Sequence, residues 1–149
     1  MANHVRQQIR EAVALQITGL TTTGANVFQT RSHLLTDQEL PCVCVSTKEE
    51  TNESASMGYP RLVDRTLIVR IEAVAKQVSN IDDTLDTICK EVESSLAGHI
   101  VAFAPLIKDL RLAETSIEVD AHSEKPIGIA TMLWTAEYRT SETAPDTAL

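Results

Sequence analysis

The side chains that most often carry out chemistry in proteins are scattered along this chain. Its four histidines fall in four separate segments, and none is spaced from another histidine, a cysteine or a carboxylate as in recognised metal sites. They are His4, His33, His99 and His122. His122 lies between Asp120 and Glu124, a grouping open to acid–base chemistry, but a solvated polar turn explains it more simply. The histidines therefore predict no catalytic or metal centre.

No recognised nucleotide, metal or redox motif occurs in the sequence. The patterns GxxxxGK[ST], GxGxxG, HExxH and CxxC are all absent. Residues 19–24 (GLTTTG) imitate a phosphate-binding loop but lack its lysine, and a helix end followed by a turn explains them better. Cys42, Cys44 and Cys89 cannot all pair, so we interpret them as buried free thiols. We predict a protein that is not an enzyme and needs no cofactor or metal.

Length, composition and charge narrow the class of protein. The 149 residues fit one domain with room for a hydrophobic core, which must be aliphatic because aromatic residues make up 3%. The net charge of −8 argues against binding nucleic acid through phosphate contacts, although it permits a protein that surrounds DNA without gripping it. There is no apolar run of membrane-spanning length and no signal-peptide pattern, so we expect no membrane partner and a start in the cytoplasm.

The segment from Asp64 to Leu96 organises the predicted fold. Its first part alternates in hydrophobicity, as a strand with one buried face does. Its second part has apolar residues at helical spacing, with Ser79 or Asn80 as the cap. The apolar strand positions are Leu67, Val69, Ile71, Ala73 and Ala75, and the helical ones are Ile81, Leu85, Ile88, Cys89, Val92 and Leu96. We predict that these two faces pack together as the centre of the core.

The remaining segments complete an α/β (α+β) single domain. A helix capped by Asn3 is predicted over residues 2–18, and strands are predicted elsewhere. Those strands lie near residues 26–33, 42–47, 106–119 and 127–139. The pattern predicts a mixed or mainly antiparallel sheet of about five strands with two helices packed on one face.

Two segments lack an apolar period. Residues 48–60 are predicted to be a long loop, mobile until a partner orders it, in which Met57 and Tyr59 anchor the contact. A plain solvated hairpin tip is the other interpretation of this loop. Residues 140–149 are small and polar, so the domain is placed at residues 1–139 and residues 140–149 are predicted to be a flexible tail.

Trp134 is the single tryptophan and lies in a strand with apolar residues on both faces. It fits two roles, a buried core anchor or an interface residue, because tryptophan is frequent at binding hot spots. The two-faced strand itself favours an interior position or contact with a partner.

The order and the local amino-acid sequence of several segments resemble those of one protein family. These segments are residues 4–13, 20–24, 27–28, 40–41, 65–67, 85–93, 125–128 and 137–139. Together they resemble the tail terminator proteins of long-tailed bacteriophages, of the minor tail protein U type with a non-contractile tail. The resemblance spans residues 4–139 and involves no catalytic motif, so it transfers no catalytic residue.

The resemblance implies a small α/β subunit that forms a homo-oligomeric, hexameric ring. Such a ring caps the tail tube, ends its growth and offers an attachment face to the head. The implied partners are other copies of the chain, the tail tube protein and the head–tail connector or neck protein, and the ring encircles DNA without sequence-specific binding. The implied location is the virion tail, after assembly in the host cytoplasm.

Other functions stay open at the level of sequence. Another ring subunit of the head–tail neck would have a similar composition, and a small cytosolic enzyme, a ligand-binding domain or a regulatory binding module is also compatible with one acidic domain. An enzyme needs a pocket with converging polar groups, whereas an assembly subunit needs a surface complementary to itself.

Overall fold

The computed structural model describes residues 2–29, 39–77, 79–97, 106–120 and 126–149. These residues form two helices and six strands. In chain order they are α1 (Val5–Gln16), β1 (Val27–Phe28), β2 (Cys42–Ser54), β3 (Leu62–Lys76), α2 (Ile81–Leu96), β4 (Asp109–Asp120), β5 (Ile127–Ser141) and β6 (Ala144–Ala148). Among these residues, neither helix combines the length and apolarity needed to cross a bilayer.

The strands form one open mixed sheet in the order β1-β2-β3-β5-β4, and β6 pairs with β5. The short β1 runs parallel to β2, and all the other pairs are antiparallel. The α+β class is confirmed, with six strands in place of about five. The predicted strand at residues 26–33 is described only over Val27–Phe28, because residues 30–38 lie outside the described part.

The predicted centre of the fold is confirmed. All five alternating positions of β3 are buried, and so are the six stripe positions of α2. The helix lies directly on β5 at Gly128, where an added Cβ would come within 2.7 Å of Leu85 Cδ1. A glycine at this position therefore permits the close approach of helix and strand. Each aliphatic side chain buried here contributes about 1.5–3 kcal/mol.

The first helix packs beside α2 in the same hydrophobic cluster but over different strands. Val5, Ile9 and Val13 are buried, and α1 lies against β2 and β6 rather than β3 and β5. The predicted cap, Asn3, is wrong. His4 caps the helix because its Nδ1 accepts the backbone N–H of Arg6 at 3.1 Å.

One segment forms a strand although its sequence has no apolar period. Residues 48–54 were predicted as loop, but they extend β2, which pairs with β3 as far as Ser54 and Val63. A register shift between Thr47 and Glu49 interrupts this ladder. Backbone pairing, not burial, sets the strand here, so a hydrophobic period is not required.

The C-terminal segment also differs from expectation. Residues 140–149 were predicted to be a flexible tail, whereas β5 continues to Ser141 and β6 pairs with it. The carbonyl of Asp146 accepts the side-chain amide of Gln8 at 3.0 Å, which joins β6 to α1. Small polar residues thus form a strand because two neighbouring elements supply their hydrogen bonds.

Replacement of Ile88 by aspartate tests the packing of α2. Ile88 is fully buried, so the carboxylate would have no counter-charge and should cost several kcal/mol, enough to unfold the domain. Thermal denaturation followed by circular dichroism measures the effect. Lys90→Asp, on the exposed side of the same helix, is the control. Equal melting temperatures for the two variants would contradict the packing.

Candidate interaction surface

The histidine, cysteine and carboxylate side chains of the described residues form no metal-binding group. No group of three or more His, Cys, Asp or Glu side chains is placed to hold a metal among them. His4 is engaged as a helix cap, and burial together with the nearby Arg6 lowers its pKa. The other three histidines lie outside the described residues. Cys89 is a free thiol whose pKa is raised by burial to about 11, which makes it unreactive as a nucleophile.

The charged hollow at one end of the sheet is also unlike an active site. It has a volume of about 330 Å³ and is lined mainly by charged side chains of β3 and β5. Arg139 donates two hydrogen bonds to Asp64, at 2.5 and 3.0 Å, and this guanidinium lowers the pKa of the carboxyl. Since each group already meets its opposite charge, the pair is a surface ion pair and not a reactive group.

A buried charge cluster lies between α1 and the sheet. The Glu50 side chain, 5% exposed, accepts hydrogen bonds from Arg65 at 3.1 Å and from Arg6 at 3.2 Å. The hydroxyl of Tyr138 donates to the other carboxylate oxygen, and burial together with Glu50 raises the pKa of Tyr138. Arg65 also donates to Thr140 Oγ1 at 3.0 Å. One carboxylate therefore ties α1, β2, β3 and β5 together at the base of the β2–β3 hairpin.

Beyond that cluster, the hairpin projects away from the core. Residues 55–61 connect β2 to β3, and we call them the hairpin tip. Met57 is 95% exposed and Tyr59 is 76% exposed. Both were predicted as partner anchors, and the structure places them together on one short turn. Single exposed apolar residues are common on protein surfaces, but neighbouring ones form a patch that is a candidate contact site.

The hairpin tip is held in place by several contacts. The guanidinium carbon of Arg61 lies 4.4 Å from the centre of the Tyr59 ring, and Arg61 donates to the Tyr59 hydroxyl at 2.5 Å. The Leu62 N–H donates to Ser56 Oγ at 2.9 Å. Arg61 and Glu142 also exchange two hydrogen bonds, Arg61 N–H to the Glu142 carboxylate and Glu142 N–H to the Arg61 carbonyl. The tip is therefore fixed to the start of β3 and to the β5–β6 turn.

Trp134 lies elsewhere. It faces the helices from β5 and is 4% exposed. Ala136 and Met132, its neighbours on that face, are fully buried. This position corresponds to the core role, not the interface role, because strand alternation turns the side chain inward. An intact subunit does not present Trp134 to a partner.

A second exposed apolar site was not predicted. Ile117 and Val119 on β4 are 43% and 41% exposed, although their alternation with polar residues is typical of a half-buried strand. They face the helix side of the sheet, as their register with Ala130 and Gly128 shows. They stay exposed because β4 is the edge strand, and sequence alternation does not indicate which strand lies at an edge.

Comparison with known proteins gives a match over nearly the whole chain. A family model described as phage minor tail protein U matches residues 4–138. No curated protein matches the chain. Among solved structures, a chain from the "Virion of native gene transfer agent (GTA) particle" is similar over 90% of this chain and 92% of that chain, at 15% identity and a TM-score of 0.43. This last likeness is too weak to bear on fold or function.

Removing the charge of Glu50 tests the cluster beneath the hairpin. Glu50→Gln leaves Arg6, whose side chain is 42% exposed, and the largely buried Arg65 without their carboxylate, which should destabilise the protein by about 1–3 kcal/mol. Glu49→Gln, on an exposed neighbouring position, is the matched control. Urea unfolding measures both, and coincident transitions would show that the cluster does not stabilise the fold.

Proposed function

This chain belongs to the phage minor tail protein U family, as the match over residues 4–138 shows, and on that basis we propose that it is the tail terminator. In this proposal, copies of the chain form a hexameric ring on the end of the tail tube. The ring stops addition of further tube subunits and presents the face to which the head attaches.

The family assignment makes the chain a structural protein of the phage tail and hence of the virion. The match over nearly the whole chain is the observation that carries the proposal. The proposed role needs no catalysis. Because the family is one of structural tail proteins, we infer that the protein acts by binding other proteins and not as an enzyme.

The surface of the subunit supports assembly. A ring of identical subunits needs two different complementary patches on each copy, because every subunit contacts one neighbour on either side. The hairpin tip, with Met57 and Tyr59, is proposed as one such patch. The tube protein and the connector or neck protein are the proposed partners on the two faces of the ring.

The charge of the chain is also compatible with a ring around DNA. The net charge is −8, and an acidic channel repels the phosphate backbone. DNA passing through such a ring would not be retained by sequence-independent contacts. We propose that the ring surrounds DNA without recognising its sequence.

A phage with a stop codon early in the reading frame of this chain tests the role. We expect tail tubes of uncontrolled length without attached heads, and normal particles when the intact chain is supplied in trans. Electron microscopy of the lysates gives the length distribution. Tails of normal length that fail to join heads would contradict termination and would instead indicate a neck ring.

Changing the hairpin tip tests its part in assembly. Met57→Ser with Tyr59→Ser removes the two exposed apolar side chains without touching the core, so the fold should be retained while capping is lost. Leu15→Ser is the control, since Leu15 is also a large exposed residue, 78% exposed, but lies on α1.

Circular dichroism would verify folding of both variants, and supplementation of the stop-codon phage would measure tail length and infectivity. Normal tails with the doubly substituted protein would remove the hairpin tip from the proposed interface.

A further inference from the structure

The free edge of the sheet carries an exposed apolar site that none of the described residues covers. β4 is the last strand in the sheet order, and no described strand pairs with its outer side. Residues 113–120 of β4 are exposed throughout, including Ile117 and Val119. Exposed edges are normally protected by charges and bulges. β4 has both, yet it still presents these two β-branched residues to the surface.

We propose that this part of β4, residues 113–120, is the docking site for the hairpin tip of the next copy of the chain. The inference builds on the proposed ring and names the surface that the hairpin tip contacts. In this contact, Met57 and Tyr59 cover Ile117 and Val119, and the tip lies along the open side of the edge strand. Each subunit then uses its tip on one neighbour and its β4 edge on the other.

The placement of the two sites within one subunit favours contact between copies. Val119 is in register with Gly128 at the start of β5, whereas Val63, beside the tip, is in register with Thr140 near its end. The dozen residues of β5 between those positions span roughly 40 Å at about 3.3 Å per residue. A tip cannot reach the β4 edge of its own subunit. Two different patches at opposite ends give a head-to-tail contact, which is the geometry that closes rings.

The charges of the two segments are complementary. Residues 113–120 contain three acidic residues and no basic one, namely Glu114, Glu118 and Asp120. The hairpin tip contains one basic residue, Arg61, and no acidic one. Glu142 lies beside the tip, but its carboxylate accepts the backbone N–H of Arg61 while the guanidinium rests on Tyr59. Glu118 and Asp120 alternate with Ile117 and Val119 and so lie on the opposite face of β4. A segment that runs along the open side of this edge strand can contact residues of both faces.

The six large apolar residues exposed in the described part of the chain support this pairing. Leu15 and Leu149 each stand alone in the sequence, whereas the other four form two pairs, one at each proposed site. Each pair offers apolar surface against which the other pair can be buried. Docking of one on the other buries both in a single contact.

Cysteine cross-linking tests the contact directly. A chain with Gly58→Cys and Thr115→Cys, which leaves all four apolar contact residues in place, should give a ladder of disulfide-linked oligomers when capped tails are treated with an oxidant. A Cβ at Gly58 has open space around it, and Thr115 is exposed on the same strand face as Ile117. Disulfide formation requires Cα atoms within about 7 Å, so it reports proximity. The control carries Gly58→Cys and Leu15→Cys and should give no ladder. The unsubstituted chain accounts for Cys42, Cys44 and Cys89, of which two are buried.

The outcomes separate this inference from the proposed function. Capped tails of normal length without a ladder would overturn the docking site while leaving the terminator role intact. A cross-link between the thiol introduced by Gly58→Cys and the tube protein would also overturn it, since the tip would then face the tube. Failure of the terminator role itself would appear as normal tail lengths in the stop-codon phage.

Charge reversal gives a second test, independent of cysteine chemistry. Arg61→Glu and Glu118→Lys, each alone, place like charges across the contact and should weaken self-association by about tenfold or more. An equal mixture should restore association, because each variant's altered site meets the complementary site of the other. Sedimentation at high protein concentration measures this. A mixture no stronger than the single variants would contradict the pairing of these two sites.

Discussion

The fold depends on burial of the α2 stripe against one face of β3 and β5. Six aliphatic or thiol side chains of the helix meet the alternating positions of two long strands, and Gly128 lets the helix approach closely. Both strands are 15 residues long, so they extend well past the region that α2 covers. The helix covers the end of the sheet at which β5 begins, where it contacts Gly128, and leaves the opposite end to be held by other interactions. That opposite end carries the hairpin tip.

At the hairpin end of the sheet, ion pairs and hydrogen bonds hold the elements together in place of hydrophobic packing. Glu50 lies where the apolar face of β2 ends, and it gathers Arg6, Arg65 and Tyr138 around one carboxylate. A buried charge in such a position costs desolvation energy, and only several simultaneous hydrogen bonds offset that cost. The cluster thus joins α1 to β2, β3 and β5 at the base of the hairpin.

The sequence revealed those parts of the fold in which burial decides the structure. The hydrophobic periods of β3 and α2 could be recognised in the sequence because each element has one buried face. Met57 and Tyr59 could be selected because they are large side chains with apolar surface in an otherwise polar segment. Residues 48–54 and β6 were missed because pairing with distant strands, not hydrophobic patterning, makes them strands. The exposure of Ile117 and Val119 was not predicted, for a related reason. Their alternation shows a strand, but sheet order, a property of the whole chain, decides that this strand is an edge.

The contacts that hold the hairpin tip bear on how fast and how tightly it can dock. A loop that orders only on binding loses backbone freedom at that moment, at about 1–2 kcal/mol per residue. Here Ser56, Arg61 and Glu142 have fixed the turn during folding, and the Tyr59 ring is already seated under a guanidinium. The conformational entropy is thus lost before the partner arrives, and more of the contact energy remains as affinity. Such preorganisation favours rigid-body capture at the first productive encounter, as the proposed terminator requires if it is to compete with the next incoming subunit of a growing tail tube.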